Sequence, residues 1–155
     1  MSIEAKLKEL GVTLPTPGAP IANYVPCVRT GSLLVVSGQL CLGADGKLAD
    51  AHKGKLGGEV AAEAAIEAAR LCAINILAQA KVALGSLDAI QRCVRLGGFI
   101  NCVPTYGAIA PVMNGASDFM VAALGDKGRH ARSTIGVAEL PLDAVVEVEA
   151  MFEVA

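Results

Sequence analysis

Between Glu59 and about Leu84, small and apolar residues return every three or four positions: Ala62, Ala65, Ile66, Ala69, Ala73, Ile76, Ala80 and Ala83. That spacing belongs to one face of an α-helix. It predicts a long amphipathic helix whose alanines let its axis approach a sheet closely, with Glu59, Glu63, Glu67 and Arg70 on the polar side. Leu71 and Ile74 interrupt the polar side, so the second half of the helix is predicted to be covered there too. A helix of this kind needs a partner surface, and the β-rich segments before and after it can supply one.

Ser2 to Leu10 reads as a short helix with Ser2 as N-cap and Gly11 as C-cap. Ile3, Leu7 and Leu10 fall on one side of it and are predicted to dock on the body. Pro15, Pro17 and Pro20 force an extended connector that delivers Tyr24 to a first strand over Val25 to Arg29. Gly31-Ser32 is a turn, and Leu33 to Ser37 is a β-rich strand. A further extended piece near Cys41 ends at the turn Ala44-Asp45-Gly46-Lys47. Gly85 closes the long helix, and Gln91 to Val103 is a strand in which Gly97-Gly98 marks a bulge or a close backbone approach. A second major helix is predicted over Val112 to Leu124, with Pro111 in its first turn and Gly125 as its cap.

Strands over Ser133 to Ala138 and Ala144 to Val154, joined by Leu140-Pro141-Leu142-Asp143, are predicted to form a hairpin. In the last one Val146, Val148, Ala150, Phe152 and Val154 share one face, and Glu147, Glu149, Met151 and Glu153 the other. The order predicts one α+β domain over residues 1–155, with two helices on one face of a mostly antiparallel sheet. Residues 1–20 form a helical, proline-rich extension.

Hydrophobic residues make up 54% of the chain and mean hydropathy is +0.53, yet charges interrupt every long apolar run, which argues against a membrane span. The apolar excess predicts contact with another subunit. Cys27, Cys41, Cys72, Cys93 and Cys102 form an odd set without a CxxC pair, and the N-terminus has no signal-peptide pattern, so a reducing cytoplasm is expected. His52, in a stretch of glycines and lysines, is predicted to be an exposed loop residue, and two histidines are too few for a histidine-rich metal site. A net charge of −2 and five aromatic residues (three Phe, two Tyr) argue against nucleic acid as a partner. Arg129, His130 and Arg132 make only a small local basic cluster.

Arg132 stands at the start of an otherwise apolar strand, and Glu147 follows fifteen positions later, an arrangement predicted to set them on neighbouring strands. Arginine offers a planar fork of donors that matches a carboxylate, so this pairing suggests a small acidic ligand and a proton-handling group. The same residues read equally as a solvated strand end.

Three segments carry a resemblance. Ala131-Arg132-Ser133, then Val137-Ala138-x-Leu140-Pro141, then Glu147-Val148-Glu149-Ala150 resemble the C-terminal signature of the RidA/YjgF reactive-intermediate deaminase family. Asn23-Tyr24 and Val36-Ser37-Gly38-Gln39-Leu40 resemble its N-terminal half. The resemblance implies a chorismate-mutase-like fold, a homotrimer with sites in clefts between subunits, and no cofactor or metal. It implies hydrolysis of 2-imino or enamine acids to 2-oxo acids and ammonia. Arg132 would hold the substrate carboxylate and Glu147 would orient or deprotonate water. Tyr24 would line the cleft, Ser37 would lie near the ligand, Asn114 would stand at the start of the second helix, and Thr134 would turn backbone groups to the ligand. Gly136 stands where common members have glutamate, Ile21-Ala22-Asn23 lacks the usual glycine, and the N-terminal helix is an extension, all marks of a divergent subgroup. Two other readings are a regulatory protein that binds a small carboxylate without turnover, and an endoribonuclease.

Overall fold

The computed structural model describes residues 1–19 and 21–155. Pro20, the last of the three connector prolines, lies outside the described residues. Helix α1 spans Ile3–Glu9, and the Ser2 hydroxyl accepts from the Ala5 N–H as predicted. Ile3 and Leu7 are buried and the Ile3 N–H donates to Asp88 Oδ1 at 2.8 Å, which docks the helix; Leu10, predicted to join them, is exposed. Strands β1 (Cys27–Thr30) and β2 (Leu33–Leu40) pair antiparallel around Gly31, whose φ of 58° favours glycine. Strand β2 runs on to Leu40, three residues beyond the predicted end at Ser37, and stops just before Cys41. The chain there is held instead by Asn75, whose side-chain amide donates to the Leu40 and Leu42 carbonyls at 3.0 Å each.

Helix α2 runs Ala62–Leu84, starting three residues later than predicted because the Glu59 carboxylate turns back to accept from the Lys55 N–H at 2.9 Å. Its inward face is Ala65, Ala68, Ala69, Cys72, Ala73, Ile76, Leu77 and Ala80. Ile66 and Ala83, predicted to face inward, are exposed. Ile74 is buried, and with Leu71 and Asn75 it lines a groove completed by Val12, Thr13 and Pro15 of the connector, so the N-terminal extension is what covers this side. Helix α3 spans Ala110–Leu124 with Pro111 in its first turn. Gly115 is its closest approach to α2: a Cβ there would overlap the Ile66 carbonyl.

The sheet order is β1-β2-β5-β3-β4, with β3 at Ile90–Asn101, β4 at Ala131–Val137 and β5 at Val146–Val154. The predicted C-terminal hairpin is absent. Strand β5 lies between β2 and β3, antiparallel to both, while β4 pairs in parallel with the far side of β3, giving a mixed sheet. The physical reason lies in the side chains. Val146, Val148, Ala150, Phe152 and Val154 are all buried, and a Val or Phe side chain gains about 1.5–3 kcal/mol on burial, so β5 is most stable with a neighbour on each side. Strand β4, with Arg132, Ser133, Thr134 and Gly136, is suited to an edge.

Gly97-Gly98 is a close approach rather than a bulge. A Cβ at Gly98 would overlap the Met113 side chain of α3, and one at Gly97 would stand 2.7 Å from Glu149 Oε1. The bulges of β3 lie earlier, between Ile90 and Arg92 and between Cys93 and Arg95. As expected, two helices, α2 and α3, pack on one face of the sheet and the short α1 docks on the body; among the described residues the opposite face carries no helix. No helix in the described residues is long and apolar enough to cross a membrane. We expect Gly115→Ala to cost about 1–3 kcal/mol in urea unfolding, because backbone rather than a movable side chain stands in the way.

Candidate functional site

Arg132 pairs with Leu96 of β3, and Leu96 pairs with Ala150 of β5. Both partners are buried under the helices, so Arg132 projects toward the helix side of the sheet, at its β4 edge. There the guanidinium is held on α3. Nη1 donates to Asn114 Oδ1 at 2.9 Å and to Ser117 Oγ at 3.2 Å, and Nη2 donates to the Ala110 carbonyl at 3.2 Å. Asn114 and Ser117 are one helical turn apart on the same side of α3, which is why both reach one guanidinium. These contacts leave the Nε hydrogen and one Nη2 hydrogen without a partner among the described residues. The arginine is therefore anchored and still has donors to offer.

Glu147 lies elsewhere. It pairs with Phe99 of β3 and Leu40 of β2, and it projects from the helix-free face. In place of neighbouring strands, β3 separates β4 from β5, and Arg132 and Glu147 point to opposite sides. Two strand spacings and three residues of offset put their Cα atoms about 14 Å apart. The Glu147 carboxylate packs against Gly38, where a Cβ would overlap it, beside the irregularity of β2 between Val36 and Gln39. Half-buried and without a hydrogen-bond donor among the described residues, it has its pKa raised by burial first and by the Glu149 charge second. Glu149 itself pairs with Arg95 at 3.1 Å.

Ser37 donates its hydroxyl to the Val25 carbonyl at 2.9 Å, which ties the segment carrying Tyr24 to the same irregularity. Tyr24 is 61% exposed, free to be covered by a ligand or a second chain. The six sequence-predicted residues thus divide into two groups. Tyr24, Ser37 and Glu147 gather around Gly38; Arg132, Asn114 and Thr134 gather between β4 and α3. Thr134 shares the helix side with Arg132, pairs with Gly98, and keeps its buried Oγ1 unpartnered.

Residues that sequence reasoning passed over complete the second group. His130 was read as one of three local cations, but it is half-buried: Nδ1 lies 2.6 Å from the Gly128 carbonyl and Nε2 lies 2.9 Å from Ser117 Oγ. The signal was the spacing, since Ser117 follows Asn114 by three on a predicted helix. His52 is buried in a short 3-10 turn rather than exposed, because its own backbone carbonyl accepts from the Val145 N–H and pulls it under the sheet end.

A cavity of about 530 Å³ opens at the C-terminal ends of β3 and β4, lined by Lys55, Cys102, Tyr106, Ile109, Gly136 and Ala138 among others. Gly136 helps to keep it open, since a Cβ there would sit 2.9 Å from Cys102 Sγ. Ile109 is next to Ala110, the residue whose carbonyl anchors Arg132. At the base, buried Asn101 accepts from Lys55 Nζ at 2.7 Å and donates to the Gly54 and Ala144 carbonyls, and Lys55 also reaches the Ala138 carbonyl and Glu139. All five cysteines are free, and burial pushes the Cys93 thiol up to about 12.

A family model described as "YjgF/chorismate_mutase-like, putative endoribonuclease" matches residues 4–154. The chain belongs to the YjgF/RidA family. Among its relatives, the Trypanosoma cruzi protein TCP17 is 41% identical over 152 residues, covering 97% of this chain and 93% of that one. The crystal structure of Agrobacterium tumefaciens Atu1372, a protein with unknown function, superposes with a TM-score of 0.91 at 47% identity over 99% of this chain and 92% of that one. E. coli TdcF with bound serine is more distant, with a TM-score of 0.62 and 27% identity over 93% and 97% of the two chains. The fold of this chain is thus closer to that of Atu1372 than to that of TdcF.

A carboxyl whose pKa is raised by folding favours the folded state only while protonated. Its contribution is present below the ordinary carboxylate pKa and is lost as pH rises through the raised value. We therefore expect Glu147→Gln, a mimic of the protonated group, to melt higher than wild type at neutral pH, with the gap closing on acidification. Thermal melts from about pH 4 to about pH 8 check this, and a gap independent of pH would assign it to packing instead.

Proposed function

We propose that this protein is a cofactor-independent hydrolase of 2-imino or enamine acids, releasing 2-oxo acid and ammonia. The observation that carries the reading is the held guanidinium of Arg132, anchored on three acceptors with donors left over. An arginine that merely closed a strand end would not need a shell of its own; one that must receive a carboxylate in a fixed geometry does. The carboxylate fixes the substrate, water attacks the adjacent imine carbon, and Glu147 takes a proton from that water. Its raised pKa suits it to accept a proton and return it to the departing nitrogen. Imines hydrolyse unaided, so positioning and acid-base transfer are sufficient chemistry.

One protomer cannot apply both groups to one ligand, since Arg132 and Glu147 leave the sheet on opposite sides. The reading therefore requires a second copy that lays its Glu147 group over the Arg132 group, as in a homotrimer with sites between subunits. The helix-free sheet face supports this, because Val28 and Ile135 are exposed on it beside Val35, Phe99 and Met151. The cavity at Gly136 offers room for an apolar substrate side chain. The serine in the TdcF structure is a small amino acid of the matching chemical class. A carboxylate-binding protein without turnover is the alternative, and the ribonuclease label in the family description is disfavoured by the net charge of −2.

The test is the rate of 2-oxo acid formation from imines made in situ by an amino-acid oxidase, with semicarbazide competing. Wild type is expected to accelerate it, and Arg132→Ala to lose about 100-fold or more in kcat/KM while keeping its Tm. Saturable 2-oxo acid binding without acceleration would establish the binding protein instead. Sedimentation is expected to give a trimer. Mixed assemblies of Arg132→Ala and Glu147→Gln, each inactive alone, should regain about one quarter of wild-type activity, the chance that a cleft receives both intact groups. No recovery on mixing would show that the two residues do not meet across subunits.

A further inference from the structure

The Arg132 group holds a second proton-handling unit. The Gly128 carbonyl can only accept, so His130 Nδ1 at 2.6 Å carries the hydrogen, and in the neutral ring Nε2 presents its lone pair. Ser117 Oγ, 2.9 Å away, then donates to that lone pair while accepting from Arg132 Nη1 at 3.2 Å. A hydroxyl hydrogen-bonded to a neutral imidazole, with the imidazole oriented by a third group, is the arrangement that lets a hydroxyl pass a proton to a base. It stands against the one side chain that the carboxylate-binding reading depends on.

We propose that Ser117 and His130 form a proton relay that removes the hydroxyl proton of the tetrahedral intermediate; this rests on the deaminase reading above. Water adds to the protonated imine while Glu147 of another protomer takes one of its protons, giving a neutral carbinolamine and a protonated carboxyl. The carbon bearing the new hydroxyl is one bond from the carboxylate held by Arg132, which brings it into the neighbourhood of Ser117. In the collapse, Glu147 returns its proton to the amine nitrogen. The Ser117 hydroxyl passes its own proton to His130 Nε2 and takes the one from the carbinolamine. The carbonyl forms, the C–N bond breaks, ammonia leaves, and His130 releases the proton to solvent. Ser117 is the group that touches the intermediate; His130 acts through it. Of the charged groups nearby, Arg132 is reached through Ser117; on the preceding turn Lys127 is turned to the Ile90 carbonyl and Arg129 is paired with Asp126, and Asp118 follows Ser117 on α3.

The experiment is the pH dependence of imine hydrolysis by the full chain in wild type, Ser117→Ala, Ser117→Thr and His130→Gln, with melting checked for each. His130 and Glu147 must both be unprotonated, so wild-type kcat/KM should rise with pH more steeply than along the limb of Glu147 alone that remains in His130→Gln. The same variant should lose about 100-fold in kcat with KM little changed. Ser117→Ala should lose a similar factor in kcat and, because it also removes one anchor of Arg132, raise KM; Ser117→Thr, which keeps a hydroxyl, should recover much of the rate. A folded His130→Gln that keeps the wild-type limb would overturn the relay while leaving the deaminase reading intact. Absence of acceleration by wild type would overturn both, and NMR of the imidazole during a pyruvate titration would then show whether Arg132 still binds a carboxylate beside His130.

Discussion

The apolar face of β5 is the constraint on which the rest of the molecule depends. Five successive inward positions from Val146 to Val154 are buried, which places the last strand in the middle of the sheet with β2 on one side and β3 on the other. Strand β4 takes the outer edge of β3, and it arrives there in parallel because α3 carries the chain back across the sheet. The alanine face of α2 and the closeness permitted by Gly98 and Gly115 let both helices lie flat on this core. The same packing leaves the other sheet face without a helix.

Because β4 is at an edge and β5 at the centre, the two candidate residues are divided between two surfaces. Arg132 meets the side of α3, where Asn114, Ser117 and the Ala110 carbonyl fix it. Glu147 meets Gly38, and its burial without a donor makes its ionised form costly. The two groups therefore sit on separate elements, and both are held by the strand order that β5 organises.

The elements themselves were legible in the chain. Alanine spacing marked α2, Ser2 capped α1, Pro111 and Gly125 bounded α3, and alternation in the final strand named its buried face correctly. Tyr24, Ser37, Glu147, Arg132, Asn114 and Thr134 were found by motif likeness, and each falls in one of the two groups. His130 and His52 were misjudged, because a histidine's exposure depends on partners that the fold brings to it, and Ser117 and Val145 are thirteen and 93 residues away in the chain.

What the sequence by itself determined is the set of elements, the family, and the face each strand buries, since those follow from local periodicity and turn chemistry within a dozen residues. Which strands become neighbours was decided only in the tertiary structure. A short turn such as Leu140 to Asp143 permits a hairpin, but the burial gained by placing β5 between β2 and β3 exceeds what a hairpin with the polar β4 could give. That contest is between non-local surfaces, and it is what set Arg132 and Glu147 on opposite sides of the sheet.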